Sequence, residues 1–539
     1  MTWLDERLGR VTMYRLLTLG LGLIGVVALG LAAAGQLFVT AGALLASAAV
    51  AVVASVASAW LCAVLFRTRA HTESAVITGL ILLFLFWPTT DPRYLGTLAL
   101  AALVGNLAKY VIAWRGRHLL NPAAAGALVI GLTGLDASTW WVADRLLLPV
   151  VLVVVVAIVI RTRRYLLVGT FVVVAVVAVA VRLTTEGQAF GPALWTALVS
   201  YPIVFLGGVM LTEPLTLPPR RHQQLVEAVV VGVVFAIPFT AGPLFSTPEL
   251  ALVVGNLYAF WCGQRGAVRL TVAGQRQITP RTLELALHAD RPVRLVPGQY
   301  IEITVPHPKA DARGTRRTFS VSSTGGPVAS RAGDANGSSG TADATGAGTT
   351  TGATSGTTGP AARAAVTDLT VALTLPEQPS TFKRALAALP VGTRLGATGL
   401  GGDFLLPAEP AQPLLLVAGG IGVTPFASQL AAVVAAGEQR DVVVVYAVSD
   451  HADLAYAEVL TASGARVLVL SPTVDGALPD GWRHLGVRRL TPEVLAEAVP
   501  DADQRAAYVS GPPGMVGHTR RLLRHAGVRR VRTDAFSGY

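Results

Sequence analysis

The 539-residue chain carries a formal net charge of +11, only 14% charged residues and a mean hydropathy of +0.56. That balance excludes an ordinary soluble enzyme of this length and makes a lipid bilayer the economical partner. Two cysteines, Cys62 and Cys262, exclude a disulfide framework and a four-thiolate iron–sulfur site within one chain.

Ten apolar stretches fill the first half. Tyr14–Ala34, Thr40–Phe66, Tyr94–Trp114, Phe190–Leu211 and Leu225–Phe245 each reach the roughly 20 residues that a hydrocarbon core requires. Ala75–Trp87, Ala123–Leu135, Leu146–Ile160, Tyr165–Val181 and Leu250–Cys262 are shorter. The first stretch reads as an anchor, because further stretches follow at once and no small-residue cleavage pattern ends it. Arg67, Arg69, Arg115, Arg117, Arg161, Arg163, Arg164, Arg220, Arg221 and Arg265 fall in alternate loops, against Arg93, Arg145 and Arg182 in the others. The positive-inside rule then places the N-terminus and the whole C-terminal half in the cytoplasm of a multi-pass cell-membrane protein. The charge reads as a topology signal, and no nucleic-acid partner is expected.

Short apolar runs enter a bilayer as half-helices whose freed backbone groups face protein or a cavity. Ala75–Trp87 leads into Pro88-Thr89-Thr90-Asp91-Pro92, and five segments later Phe190–Leu211 leads into Thr212-Glu213-Pro214. The odd separation puts these two Thr-acid-Pro turns on opposite faces, as a 5+5 inverted repeat would; that proline and acid simply mark loop ends is equally open. His71, His118 and His222 all fall in loops, so paired haem ligands within the spans are lacking, and neither haem nor another metal site is expected.

The organisation predicted is therefore a polytopic α-helical domain over 1–264, a β-barrel over 265–407 interrupted at 325–364, and an α/β nucleotide-binding domain over 408–539. The interruption is nearly all Gly, Ala, Ser and Thr and reads as a flexible insertion. Pro297–Ile303 and Val366–Leu375 show the partly alternating pattern of a small antiparallel barrel. Leu414–Val417, Val442–Tyr446, Val467–Leu470 and Tyr508–Val509 read as buried strands between helices, the pattern of a parallel sheet.

Three segments carry the chemistry of this half: Arg317-Thr318-Phe319-Ser320, Gly419-Gly420-Ile421-Gly422-Val423-Thr424-Pro425, and Ser510-Gly511-Pro512-Pro513. Glycines between a strand and a helix let a dinucleotide pyrophosphate approach backbone amides, which assigns Gly419, Gly420, Gly422, Thr424 and Pro425 to NAD(P)H. Ser380 and Thr381 precede a helical stretch and suit a flavin pyrophosphate, or serve as an ordinary cap. Ser449 and Asp450 follow the second strand, where the adenine ribose is read; an acid there favours NADH over NADPH. Phe536 and Tyr539 are candidates to stack on the flavin.

With these motifs in this order, roughly the last 270 residues resemble the ferredoxin–NADP reductase superfamily. The resemblance implies FAD, with Arg317 on the pyrophosphate, Thr318 in the binding segment, Phe319 against the ring or ribityl chain and Ser320 near flavin N5. It also implies that Ser510, Gly511 and Pro512 position the nicotinamide, Ser510 standing where the family has cysteine. Ser320 and Ser510 are the residues expected at the hydride-transfer centre.

In the membrane half, Glu73–Gly79, Lys109-Tyr110, Arg117-His118-Leu119-Leu120-Asn121-Pro122-Ala123-Ala124 and Met210–Pro214 resemble the D subunit of Rnf complexes and the B subunit of sodium-translocating NADH:quinone oxidoreductase. That family holds flavin and passes electrons across the membrane. Its covalent flavin-attachment motif does not occur between Met1 and Gly263, so the expectation is a noncovalent FMN or riboflavin held by Asn121, Thr89, Asp91, Thr212 and Glu213. The function expected is electron transfer from cytoplasmic NAD(P)H through FAD and a membrane flavin to an extracytoplasmic flavoprotein. The alternatives are NADH:quinone reduction, with or without ion coupling, and a redox-regulated transporter or channel.

Overall fold

The computed structural model describes residues 11–68, 70–114, 117–242, 244–263, 268–307, 315–324, 364–472, 477–486 and 489–536. Arg69, Arg115, Arg265, Tyr539, the 264/265 boundary and all of the expected insertion except its last residue, Ala364, lie outside them. Two compact units divide the chain: Met1–Ala267 with Pro308–Arg316 and Thr398–Gly401, and Val268–His307 with Arg317–Ala397 and Gly402–Tyr539.

The described part of the first unit is helical: α1 (Met13–Ala33), α2 (Ala41–Leu65), α3 (Thr72–Leu85), α4 (Pro92–Val111), α5 (Pro122–Thr133), α6 (Leu148–Thr162), α7 (Tyr165–Thr185), α8 (Phe190–Ser200), α9 (Ile203–Met210), α10 (Arg221–Ala236) and α11 (Pro248–Trp261). Starts are set by side-chain caps: Thr12, Thr40, Asp91, Asn121 and Thr247 each accept a backbone N–H, and the last three are followed by proline at the first helical position.

Every apolar stretch holds a helix, but ten crossings are not what the lengths give. Among the described residues α1, α2, α4 and α7 are long and apolar enough to cross a membrane. A fifth is reached if α8 and α9, bent by 56° at Tyr201-Pro202, form one span. The local chemistry sets these lengths: α3 and α5 are short, as their apolar runs are, ending where the chain turns extended at Phe86 and at Gly134 with φ +68°, whereas α10, expected at full length, stops before Pro238.

Small residues let helix backbones approach closely. A side chain on Gly105 would lie 2.5 Å from the Pro122 carbonyl oxygen, and one on Gly126 would strike that of Ala101. The early end of α3 is met by protein: Thr139 and Trp140 donate backbone N–H groups to Leu85 O at 2.7 and 2.9 Å, and the Trp141 indole donates to Leu83 O at 2.7 Å. Cys62 is buried, whereas Cys262, the C-cap residue of α11, is partly buried.

The second unit begins with a closed six-stranded barrel. Its strands are β1 (Val268–Thr279), β2 (Thr282–Leu295), β3 (Tyr300–Thr304), β4 (Arg316–Thr324), β5 (Ala364–Thr374) and β6 (Arg394–Gly401), in the order β6-β1-β2-β5-β4-β3. A short helix α12 (Thr381–Ala387) lies between β5 and β6. A parallel sheet follows, of β7 (Leu414–Gly419), β8 (Val442–Ala447), β9 (Arg466–Leu470), β10 (Arg483–His484), β11 (Ala506–Gly511) and β12 (Val531–Ala535), ordered β10-β9-β8-β7-β11-β12. Helices α13 (Thr424–Ala435), α14 (Ala457–Ala462), α15 (Pro492–Ala498) and α16 (Pro513–His525) connect the strands. All six residues of β7 and of β11 are buried, which is why their sequences run apolar without alternation.

Candidate functional site

Strand order reverses at β7: the chain first adds β8, β9 and β10 on one side, then β11 and β12 on the other. Open parallel sheets bind ligands at such a switch point, beyond the carboxyl ends of the strands. The glycine segment stands there, with Gly419 closing β7, Gly420–Val423 forming one tight turn and Thr424 and Pro425 opening α13. The Thr424 hydroxyl donates to Ile421 O at 2.6 Å and fixes that turn.

Glycine is required here for two reasons. Gly420 has φ +52°, and a side chain on Gly422 would collide with the Ser510 carbonyl at the end of β11. Gly419 faces Pro512 and Met515 with the same economy: a Cβ there would sit 3.1 Å from Pro512 Cδ. Phe536, just past β12, donates its N–H to Gly511 O at 3.1 Å. The structure therefore gathers Gly419, Gly420, Gly422, Thr424, Pro425, Ser510, Gly511, Pro512 and Phe536 at one sheet edge.

On the barrel, β4 presents Ser320 buried, Arg317 and Phe319 half-buried and Thr318 exposed. Phe382 on α12, a residue to which the sequence alone assigns no role, organises this side. The Arg317 guanidinium lies 4.8 Å from its ring centroid and Phe319 stacks on it at 6.2 Å. Ser380 caps α12 by accepting from Lys383 N at 3.3 Å, so its hydroxyl is already in use. Barrel strand β5 packs against the Gly420–Val423 turn, which joins the two sets.

Six buried hydroxyl oxygens make no hydrogen bond to any described residue, those of Thr18, Thr279, Ser320, Thr381, Ser428 and Ser510, and three of these belong to the motifs singled out from the sequence: Ser320, Thr381 and Ser510. An unmet buried hydroxyl costs about 1–3 kcal/mol, so each of these positions can gain from a hydrogen-bonding ligand. A flavin and a pyridine nucleotide, rich in ring nitrogens, carbonyls and phosphate oxygens, fit that donor set.

A polar bridge between barrel and sheet was not legible in the sequence. Glu284 on β2 accepts from the Tyr456 hydroxyl at 2.9 Å and from Ser322 Oγ at 3.2 Å through one oxygen, and from Arg276 at 2.9 Å through the other. Tyr456 adopts φ +61°, an unusual conformation for a bulky residue, held by this bond. Burial, with the Glu284 charge beside it, keeps the Tyr456 phenol well above its ordinary pKa, so it remains a donor. Asp450 is also engaged, pairing with Arg281 of the barrel at 3.1 Å, while Ser449 is exposed.

In the helical unit, Glu213 accepts from Asn121 Nδ2 at 2.8 Å and pairs with His118 Nε2 at 2.8 Å, while Arg164 donates to Thr212 O at 2.6 Å. Asn121 N donates to Asn256 Oδ1 at 2.8 Å. Thr89 and Asp91 stand apart from this group. Asp91 caps α4, and the α5 start at Pro122 packs on Gly105, fourteen residues further along α4, or about 20 Å at helical rise. The residues that the sequence groups around one membrane flavin thus occupy two ends of the bundle. Glu227 is fully buried beside Gly255 and neither of its oxygens meets a described hydrogen-bonding group. No described group of three His, Cys, Asp or Glu residues could hold a metal.

Residues 416–521 match the oxidoreductase NAD-binding domain family. This part of the chain is similar to the NAD-binding domains of oxidoreductases. The reductase domain is 32% identical over 141 residues to a flavohemoprotein of Pseudomonas putida, spanning 26% of this chain and 35% of that protein. It is 30% identical over 153 residues to the toluate 1,2-dioxygenase electron transfer component of Pseudomonas putida, spanning 28% and 43%. It is 27% identical over 169 residues to an NADPH oxidoreductase of Mycobacterium tuberculosis, spanning 31% and 42%. The chain thus covers less than half the length of each of these relatives. Among solved structures, the Amycolatopsis cytochrome P450 reductase aligns with a TM-score of 0.36 at 22% identity, over 50% of this chain and 69% of that one.

Proposed function

We propose that this chain is a membrane oxidoreductase that takes electrons from cytoplasmic NAD(P)H and delivers them across the bilayer to an acceptor at the outer face, an extracytoplasmic flavoprotein. The observation that carries the reading is the presence, in one chain, of an FAD/NAD-binding reductase domain and a bundle with four helices of membrane-crossing length, five with the bent pair. The proposed division is 1–264, 265–407 and 408–539, with the bundle resembling Rnf D and Nqr B subunits.

Bound FAD would supply the conversion of a two-electron donor into one-electron transfers. The protein's own part is positioning. Arg317, braced over Phe382, would meet the flavin pyrophosphate together with the Thr381 hydroxyl, and Phe319 would cover the ring or ribityl chain. Ser320 and Ser510 would meet flavin and nicotinamide polar atoms with hydroxyls unmet among the described residues. The Gly419–Gly422 backbone would lie against the dinucleotide pyrophosphate, and Phe536, with Tyr539, would stack on the flavin.

For the bundle, Asn121, Thr212 and Glu213 would hold a noncovalent FMN or riboflavin at one end, and Thr89 and Asp91 would serve the other. Because Asn121 and Glu213 already bond to each other, such a ligand must replace that bond. The decisive experiment adds NADH to inverted membrane vesicles with an impermeant acceptor sealed inside. Reduction of the trapped acceptor supports the reading. NADH oxidation that depends on added quinone, with the trapped acceptor untouched, replaces it with quinone reduction.

A further inference from the structure

The two-residue turn between β1 and β2 places Arg281 at the tip of the barrel's first hairpin. Its guanidinium grips the loop after β8 at two points: Nη2 lies 3.1 Å from Asp450 Oδ2, and Nε lies 3.1 Å from Asp453 Oδ2. The other Asp450 oxygen accepts from Ala452 N at 3.0 Å, so both of its oxygens are engaged. Arg281 and Asp450 remain about half-exposed, within reach of a ligand arriving from solvent.

Strand β8 is the sheet neighbour of β7, whose carboxyl end carries the glycine turn. A dinucleotide lying across these strand ends brings its adenine ribose to the residues after β8, namely Ser449 and Asp450. There the two coenzymes differ by one group: a 2′-hydroxyl, which an acid accepts, or a 2′-phosphate, which an acid repels and an arginine binds. The loop holds two carboxylates against one guanidinium, so its local charge is negative while the triad is intact.

We propose that Arg281, supplied by the flavin-binding barrel and not by the nucleotide lobe, sets the coenzyme preference: locked between Asp450 and Asp453 it leaves the ribose pocket negative and selects NADH, and released from Asp450 it accepts the 2′-phosphate of NADPH. This rests on the reading that the glycine turn and the β8 loop bind NAD(P)H. A merely structural clamp predicts something different. Losing it would weaken use of both coenzymes together and leave their ratio unmoved.

The test measures kcat/KM for NADH and NADPH with ferricyanide as soluble acceptor, on the full-length detergent-solubilised protein. The variants are Asp450→Asn, Arg281→Ala, Arg281→Lys and the double Asp450→Asn/Arg281→Ala. One charge-assisted hydrogen bond to the ribose or its phosphate is worth about tenfold or more, so Asp450→Asn moves the NADPH/NADH ratio up by about tenfold and Arg281→Ala moves it down. In the double variant the rise disappears, while Arg281→Lys retains part of the wild-type ratio. Thermal melts identify any variant that fails to fold, and Asp450→Asn tests the idea without touching Arg281. A wild type that prefers NADPH, or a ratio that stays within about twofold in every folded variant, overturns the proposal. If the wild type neither binds nor oxidises either coenzyme, the underlying assignment of the nucleotide site fails, and the proposal with it.

Discussion

The two units use their buried polar groups differently, though each leaves some unmet. In the helical unit several join helix to helix: Asn106 Nδ2 reaches Ser55 and Ser58, Lys109 reaches Ser74 and Thr78, and Glu213 holds Asn121 and His118, while both oxygens of Glu227 meet no described hydrogen-bonding group. In the reductase unit the buried hydroxyls of Ser320 and Thr381 on the barrel side and of Ser510 in the sheet meet no described partner. The paired groups of the bundle fix helix against helix, whereas a hydroxyl left unmet is a donor available to a ligand. Glycine divides the same way, serving helix–helix packing at Gly105 and Gly126 and a ligand-facing turn at Gly420 and Gly422.

This contrast can be broken most severely in the bundle. Gly126→Val drives a side chain into the Ala101 carbonyl of α4, and loss of about 3 kcal/mol is expected, read as a lowered melting temperature in detergent. NADH oxidation with ferricyanide should survive, because the reductase unit has its own core. Gly422→Val is the mirror case: the Ser510 carbonyl must yield, and strain of about 2–3 kcal/mol lowers NADH oxidation roughly 100-fold while the bundle's melting transition stays in place.

A smaller effect is expected at the bridge between barrel and sheet. The Tyr456 phenol has a raised pKa in the fold, so it contributes stability that is complete below the ordinary tyrosine value near 10 and drains away as pH climbs from there toward its folded value. Stability measured from pH 8 upward should therefore decline in the wild type above about pH 10. Tyr456→Phe should lose about 1 kcal/mol at pH 8 and show a flatter alkaline limb. The mildest change is Ser510→Ala. Its hydroxyl supports nothing within the described chain, so the melting temperature should hold without ligand, with KM for NADH rising about threefold to tenfold. A fall in stability of the ligand-free protein would show that the hydroxyl had a structural partner.

Much of the reductase unit was legible because its chemistry is local in sequence. Gly419–Pro425 sits between a buried strand and a helix, and Arg317–Ser320 sits on a strand, so the motifs announce both element and face. Phe382, Glu284, Tyr456 and Arg281 escaped because each acts through a partner distant in sequence, 172 residues away for Tyr456 and Glu284. The bundle misled for another reason. Hydropathy marked Ala75–Trp87 and Ala123–Leu135 as short, and their helices do stop at Leu85 and Thr133; it missed the break at Pro202 inside Phe190–Leu211 and the early stop of α10 at Ala236. The Thr-acid-Pro turns, similar in letters, were separated by the antiparallel run of α4 and α5.

The loop that receives the end of α3 has a consequence for how this bundle tolerates change. Indole and amide donors from Thr139, Trp140 and Trp141 stand in for the solvent that the last carbonyls of α3 would otherwise demand. Trimming that connection by even a few residues would leave bare peptide oxygens amid apolar side chains. The α5–α6 linker is thus bound to its present length by what it must reach.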